Sequence, residues 1–168
     1  MRFRLELISR FRFQNTETGH VFALRNGASL LGLLACSPNG IERAAIIQAL
    51  WHDVTPEISK NRLRVALSKL RDTLGTALIE SGTSIQLSPS EVSCDLWDLL
   101  DLVEQAKNAI DSTTEFQALE QLVSMIAESK TVLCSEVHHF EEAKLFKSDL
   151  DGYLLRALDL GIEHQRYH

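Results

Sequence analysis

The chain has 168 residues, 45% hydrophobic and 24% charged, ordinary values for a globular protein with enough length for one full core or two small ones. No run of about 18 apolar residues occurs, which excludes a membrane-spanning helix, and Arg4 and Glu6 interrupt the stretch that a secretory signal would keep apolar. The net charge of −6 is unevenly divided: residues 1–97 hold 11 Lys+Arg against 9 Asp+Glu, a balance of +2, and residues 98–168 hold 6 against 14, a balance of −8; overall acidity therefore does not exclude a nucleic-acid partner for the first half, because phosphate binding responds to the local field.

Residues 2–7 alternate Phe3, Leu5 and Leu7 with Arg2, Arg4 and Glu6, the pattern of a half-buried strand. Phe11 and Phe13 repeat it over 10–14. Beyond the polar turn Asn15–Gly19, His20–Leu24 reads as a third strand, so a small antiparallel sheet is expected at the N-terminus. The period then becomes helical. Residues 27–36 carry Leu30, Leu31, Leu33 and Leu34 and stop at Ser37-Pro38-Asn39-Gly40, where Pro cannot continue a helix and Asn-Gly supplies a turn. Residues 41–51 form a second short helix closed by Trp51. Thr55-Pro56 reads as an N-cap followed by Pro at the first helical position, opening a third helix that runs to Leu74 and ends at Gly75. Residues 77–80 and 85–88 read as a hairpin around Ser81-Gly82-Thr83-Ser84.

From Asp95 onward the pattern is helical. Leu96, Leu99, Leu100, Val103 and Ala106 form one stripe over 96–109, Ser112-Thr113-Thr114-Glu115 opens a second helix, and a third begins near Phe140.

The helix over 57–74 carries the functional signal. With residues 100° apart, Leu63, Leu67, Leu70 and Leu74 fall within about 60° of one another, with Ala66 beside them, and this face has to be buried. The opposite face carries Asn61, Val65, Ser68 and Asp72. Lys60, Arg64 and Arg71 border it on one side, Arg62 and Lys69 on the other. Such an arrangement suits a groove-reading helix: the leucines set the roll angle, short side chains approach base edges, and long cations reach the phosphate rails. A solvated amphipathic helix would show a similar wheel. The setting favours groove reading, since a third helix placed after two short ones and before a hairpin has the position of a recognition helix.

The runs Leu30-Leu31…Leu34-Ala35, Ser37-Pro38-Asn39-Gly40, Leu50-Trp51-His52-Asp53, 61–75 (NRLRVALSKLRDTLG), Ile85-Gln86-Leu87 and 92–97 (VSCDLW) resemble the SARP-type antibiotic regulatory activators, relatives of the OmpR/PhoB-type winged helix. The resemblance covers residues 1–97. It implies an α+β winged helix-turn-helix (N-terminal antiparallel sheet, three helices, C-terminal β-hairpin wing) followed by an all-α region. Residues 98–168 resemble, in helical pattern and acidity, the first part of a TPR-like bacterial transcriptional activator domain, implying a truncated or reduced second domain for interaction or dimerisation. The function implied is sequence-specific binding of double-stranded DNA by a cytoplasmic transcriptional regulator. Asn61, Arg64, Val65 and Ser68 would lie nearest the bases, and Lys60, Arg62, Lys69 and Arg71 would hold phosphates. The helix over 41–51 would buttress the contact across the backbone. Region 98–168 would serve as a homodimer interface or as a contact for RNA polymerase or a sensor protein.

One departure matters. The wing tip of such domains often presents Arg or Lys to the minor groove or a phosphate, whereas here Ser81-Gly82-Thr83-Ser84 has Glu80 beside it. The neutral tip and overall acidity leave open a second reading, a winged helix used for protein–protein contact without DNA binding.

Other residues carry less. Cys36, Cys94 and Cys134 are isolated and odd in number, as in a reducing compartment. Cys134, His138 and His139 with Glu141 and Glu142, or His164 with His168, lack the second pair of ligands that a zinc site needs. No phosphate loop, GxSxG or HExxH motif is present, so neither a cofactor nor a catalytic activity is expected. Trp51 and Trp97 read as core plugs at the ends of elements.

Overall fold

A computed structural model of the chain describes residues 1–8, 10–24, 27–127, 133–137 and 140–160. Among these residues the fold is mixed α/β, with six helices and two three-stranded sheets. The elements in chain order are β1 (Phe3–Glu6), β2 (Arg12–Asn15), α1 (Ala28–Cys36), β3 (Ile41–Glu42), α2 (Arg43–Trp51), α3 (Pro56–Leu74), β4 (Leu78–Ser81), β5 (Ser84–Leu87), β6 (Val92–Cys94), α4 (Asp95–Lys107), α5 (Ser112–Ile126) and α6 (Glu141–Asp159). No helix of the described residues is long and apolar enough to cross a membrane.

The first sheet has the order β2-β1-β6. Its central strand buries Phe3 and Leu5 on one face, as the alternation requires, with Leu7 buried just beyond its end. The expected antiparallel sheet needs correction: β1 pairs antiparallel with β2 but parallel with β6, Phe3 opposite Val92 and Leu5 opposite Cys94. The pair is tied together at the end of β6. Asp95 accepts the N–H groups of Leu7 at 2.8 Å and Ile8 at 3.1 Å, and so takes over the backbone donors where β1 runs out of strand partners. Burial pushes the Asp95 carboxyl above its ordinary range, against the lowering pull of these N–H groups. Residues 20–24 do not form a third strand. Val21 makes a lone bridge to Gln14, and Phe22 closes a ring cluster with Phe13 (centroids 5.0 Å apart) and Phe3 (6.3 Å). Two backbone hydrogen bonds, Phe22 N–H to the Phe13 carbonyl and Asn15 N–H to the His20 carbonyl, both 2.9 Å, join this ring stacking in holding the segment against β2.

In the second sheet, order β3-β5-β4, the hairpin spans 78–81 and 84–87 with Gly82 at φ +60° in the two-residue turn, a conformation that favours glycine. Ile41 and Glu42 pair with Ile85 and Ser84, so the second helix begins at Arg43 and not at 41. The β-branched Ile41 is better used opposite Ile85 than in a first helical turn.

α1 is apolar almost all round and buried from Leu30 to Ala35, which makes it the central rod of the core. Trp97 donates its indole N–H to the Ala35 carbonyl at 2.8 Å and ties α4 to the end of α1. α5 is capped by Asp111, one residue before the expected cap, its carboxylate accepting the Thr114 N–H at 2.8 Å. The boundary drawn at residue 97 falls inside α4, and the buried core continues across it from Phe3 to Leu150. Residues 133–137 return to the N-terminal sheet: the Cys134 N–H donates to the Leu7 carbonyl at 2.8 Å, and Val137 fills the notch that Gly32 leaves in α1. A Cβ on Gly32 would lie 2.2 Å from Val137 Cγ1.

Two substitutions test this join. Asp95→Asn keeps one acceptor and strands one of the Leu7 and Ile8 donors, and is expected to cost about 1–3 kcal/mol, read as a fall of several degrees in thermal midpoint. Gly32→Ala overpacks the Val137 contact and is expected to cost about 1–3 kcal/mol, with the 133–137 segment losing amide-exchange protection before β1 does.

Candidate nucleic-acid interface

α3 is positioned by four leucines. Leu63, Leu67, Leu70 and Leu74 are all buried against the core, as the wheel predicts, and Ala66 is half-buried. Burying a leucine is worth roughly 1.5–3 kcal/mol, whereas an exposed ion pair contributes about 0–1 kcal/mol. The leucines therefore decide the roll angle and the cations follow. The helix opens with Pro56 at its first position, but Thr55 makes no side-chain cap; the Ser59 hydroxyl instead donates to the Pro56 carbonyl at 3.0 Å and is buried with the leucines. It closes at Gly75, φ +56°, followed by a single 3₁₀ turn leading into β4.

The other side of α3 is open. Lys60, Asn61, Arg62, Arg64, Val65, Ser68, Lys69 and Arg71 are all exposed, Val65 at 41% despite being apolar. Lys60, Arg62 and Lys69 make no ion pair among the described residues. Arg64 donates to the Asn61 side-chain oxygen at 3.0 Å, so these two neighbours on the face are already linked. α3 packs on α2 and β4, while the acidic helices pack on one another and, through α4, on α1, β1 and β6. Among the described residues the cationic face therefore remains exposed beside the acidic half. Beside this face, between α3, the end of α2 and residues Leu24, Gly27 and Leu30, is an open cleft of about 960 Å³ whose wall includes Arg62, Val65 and Lys69.

Arg71 differs from the other cations. It is bonded to both oxygens of Glu80 in β4, one contact at 3.0 Å, and Arg43 at the start of α2 bonds the same carboxylate. The two guanidinium groups hold the Glu80 carboxyl below its ordinary range, and Glu80 in turn raises Arg71. Sequence reading placed Glu80 beside the hairpin tip and missed its partners, because Arg71 and Arg43 lie 9 and 37 residues away. The tip itself, 81–83, is exposed and carries no cation.

The other candidate groups are not assembled into a site. Cys94 and Cys134 are buried; burial raises both thiols, Cys134 to about 12, so neither is a ready thiolate near neutral pH. Among the described residues no group of three or more His, Cys, Asp or Glu side chains could hold a metal ion. His138, His139, His164 and His168 lie outside the described residues.

No protein-family profile matches the chain, and no curated protein matches it in sequence. A solved structure, Mycobacterium tuberculosis EmbR in complex with a low-affinity phosphopeptide, is similar in fold, with a TM-score of 0.65 at 17% identity over 95% of this chain. The chain spans 44% of the length of that protein.

The Glu80 pair has a pH signature. Because the folded state lowers the Glu80 pKa, its contribution to stability is complete above the ordinary carboxylate range near 4.5 and is lost as pH falls through the lowered value. Carboxyl carbon NMR is expected to show Glu80 titrating below the exposed glutamates of the chain, and to return it to their range in an Arg71→Ala, Arg43→Ala double variant.

Proposed function

We propose that residues 1–97 form a winged helix-turn-helix that binds double-stranded DNA, in a cytoplasmic transcriptional regulator of the SARP type. The observation that carries the reading is the open face of α3, where five cations surround small side chains and all stay exposed among the described residues. In this reading α3 enters the major groove, with Asn61, Arg64, Val65 and Ser68 toward base edges. Arg62 and Lys69 on one border, and Lys60 and Arg71 on the other, reach phosphates. α2 lies across the backbone, and the β4–β5 hairpin is the wing. The fold likeness to EmbR, a transcriptional regulator, supports a regulatory role. No reaction is part of it. Residues 98–168 would serve as the regulatory half, a dimer interface or a contact for polymerase or a sensor, and their shared core with the first half gives them a mechanical route to it.

A second reading is favoured by one observation: the wing tip is uncharged, and Glu80 occupies two of the nearby arginines. A winged helix with this hairpin would suit a protein partner, with exposed Val65 and Ile58 as apolar anchors on α3.

Fluorescence anisotropy with duplex fragments at several salt concentrations separates the two. DNA recognition predicts affinity that falls with salt, a log–log slope reduced by about 0.9 for each of Arg62→Ala and Lys69→Ala, and a loss of about 1–3 kcal/mol of discrimination between fragments for Arg64→Ala. Binding that is absent, or indifferent to salt and to all three substitutions, would leave the protein-contact reading.

A further inference from the structure

One carboxylate is shared by two guanidinium groups from different elements. Arg43 begins α2, Arg71 lies in the last turn of α3, and Glu80 belongs to β4. Arg71 grips both Glu80 oxygens, and Arg43 reaches the second of them. Planar guanidinium groups converging on the oxygens of a single anion are the arrangement with which proteins hold phosphate. The cluster is open to solvent, with side-chain exposures of 47% for Arg71, 35% for Arg43 and 23% for Glu80.

Holding the hairpin in place does not require this cluster. β5 is zipped to β3, and Ile85, Leu87 and Leu78 are buried in the core. Exposed ion pairs add little to stability and are broken at little cost. Arg71 also lies seven residues after Arg64, two turns along the same side of α3, about 10 Å further down its axis. That is the end of the open face, where a groove-bound helix would meet the flanking strand.

We propose that Arg43 and Arg71 form a phosphate site whose resident anion in the unbound chain is Glu80, and that a backbone phosphate of duplex DNA displaces this carboxylate. The proposal rests on the DNA-binding reading and adds to it a ligand for Arg43, which the sequence did not single out, and an internal competitor. Displacement releases Glu80 into solvent beside the duplex, so the charge of the wing opposes binding until the exchange is made.

Glu80→Gln removes the competitor and keeps its shape. Measured by anisotropy on the full chain with a labelled mixed-sequence duplex, it is expected to tighten binding by about 3- to 10-fold, the size of two exposed ion pairs. Arg71→Ala in the chain that retains Glu80 is expected to reduce the log–log salt slope by about 0.9, and this measurement stands even if Glu80→Gln folds poorly. Unchanged or weaker binding by a folded Glu80→Gln, or an Arg71→Ala slope equal to that of the parent, would overturn the proposal and make the cluster a structural clamp. Inorganic phosphate titrated into Glu80→Gln, followed by the Arg71 side-chain N–H signal, supplies an arm without DNA. A phosphate-dependent shift there is expected, and its absence counts against the site. Loss of all duplex binding together with a retained phosphate shift would overturn the DNA reading while leaving the anion site in place.

Discussion

The burial of one face of α3 is the constraint on which the rest depends. Leu63, Leu67, Leu70 and Leu74 are sunk in the core, and no arrangement of exposed charge can outweigh the free energy that four such side chains would lose on rolling into water. With the roll angle set, every cation of the helix is assigned to a side without regard to its own preference. The basic face is a by-product of apolar packing, and for that reason it is rigid enough to be read as a surface of defined shape.

Charge is then divided in two ways. Along the chain, the carboxylates concentrate from residue 98 onward, in helices that pack on one another and, through α4, on α1, β1 and β6. Within the first half, Glu80 draws Arg43 and Arg71 together at one end of the open face. The first division accompanies an exposed basic side of α3; the second neutralises part of its positive charge. A net charge of −6 is compatible with a basic face on α3 only because the fold separates the two populations.

The N-terminal and C-terminal parts are joined more closely than their compositions suggest. Asp95 finishes the backbone hydrogen bonding of β1, Trp97 anchors α4 to α1, and Val137 fills the Gly32 notch. A shift of α4 would therefore be felt in the central strand and in α1. Packed cores transmit such shifts because they leave no void to absorb them.

Periodicity determined a good deal here. The leucine seam of α3, its exposed cations, the Pro56 start and Gly75 stop, the hairpin around Gly82 and the three helices of the second half are local properties, written at spacings of two to four residues, whereas the bridge of Leu133 back to Ile8 is not. The pairings that complete the sheets were not legible. β6 lies about 90 residues beyond β1 in the chain, β3 is two residues long, and the Glu80 cluster draws on three separate elements. Residues 20–24 carry a strand pattern that the fold satisfies with a single bridge to β2 and the stacking of Phe22, short of a full strand. Sequence thus determined which side chains are apolar and which are charged on each element, whereas only tertiary packing decided which elements lie side by side, because contact between distant segments depends on the shape of the whole core and not on any local repeat.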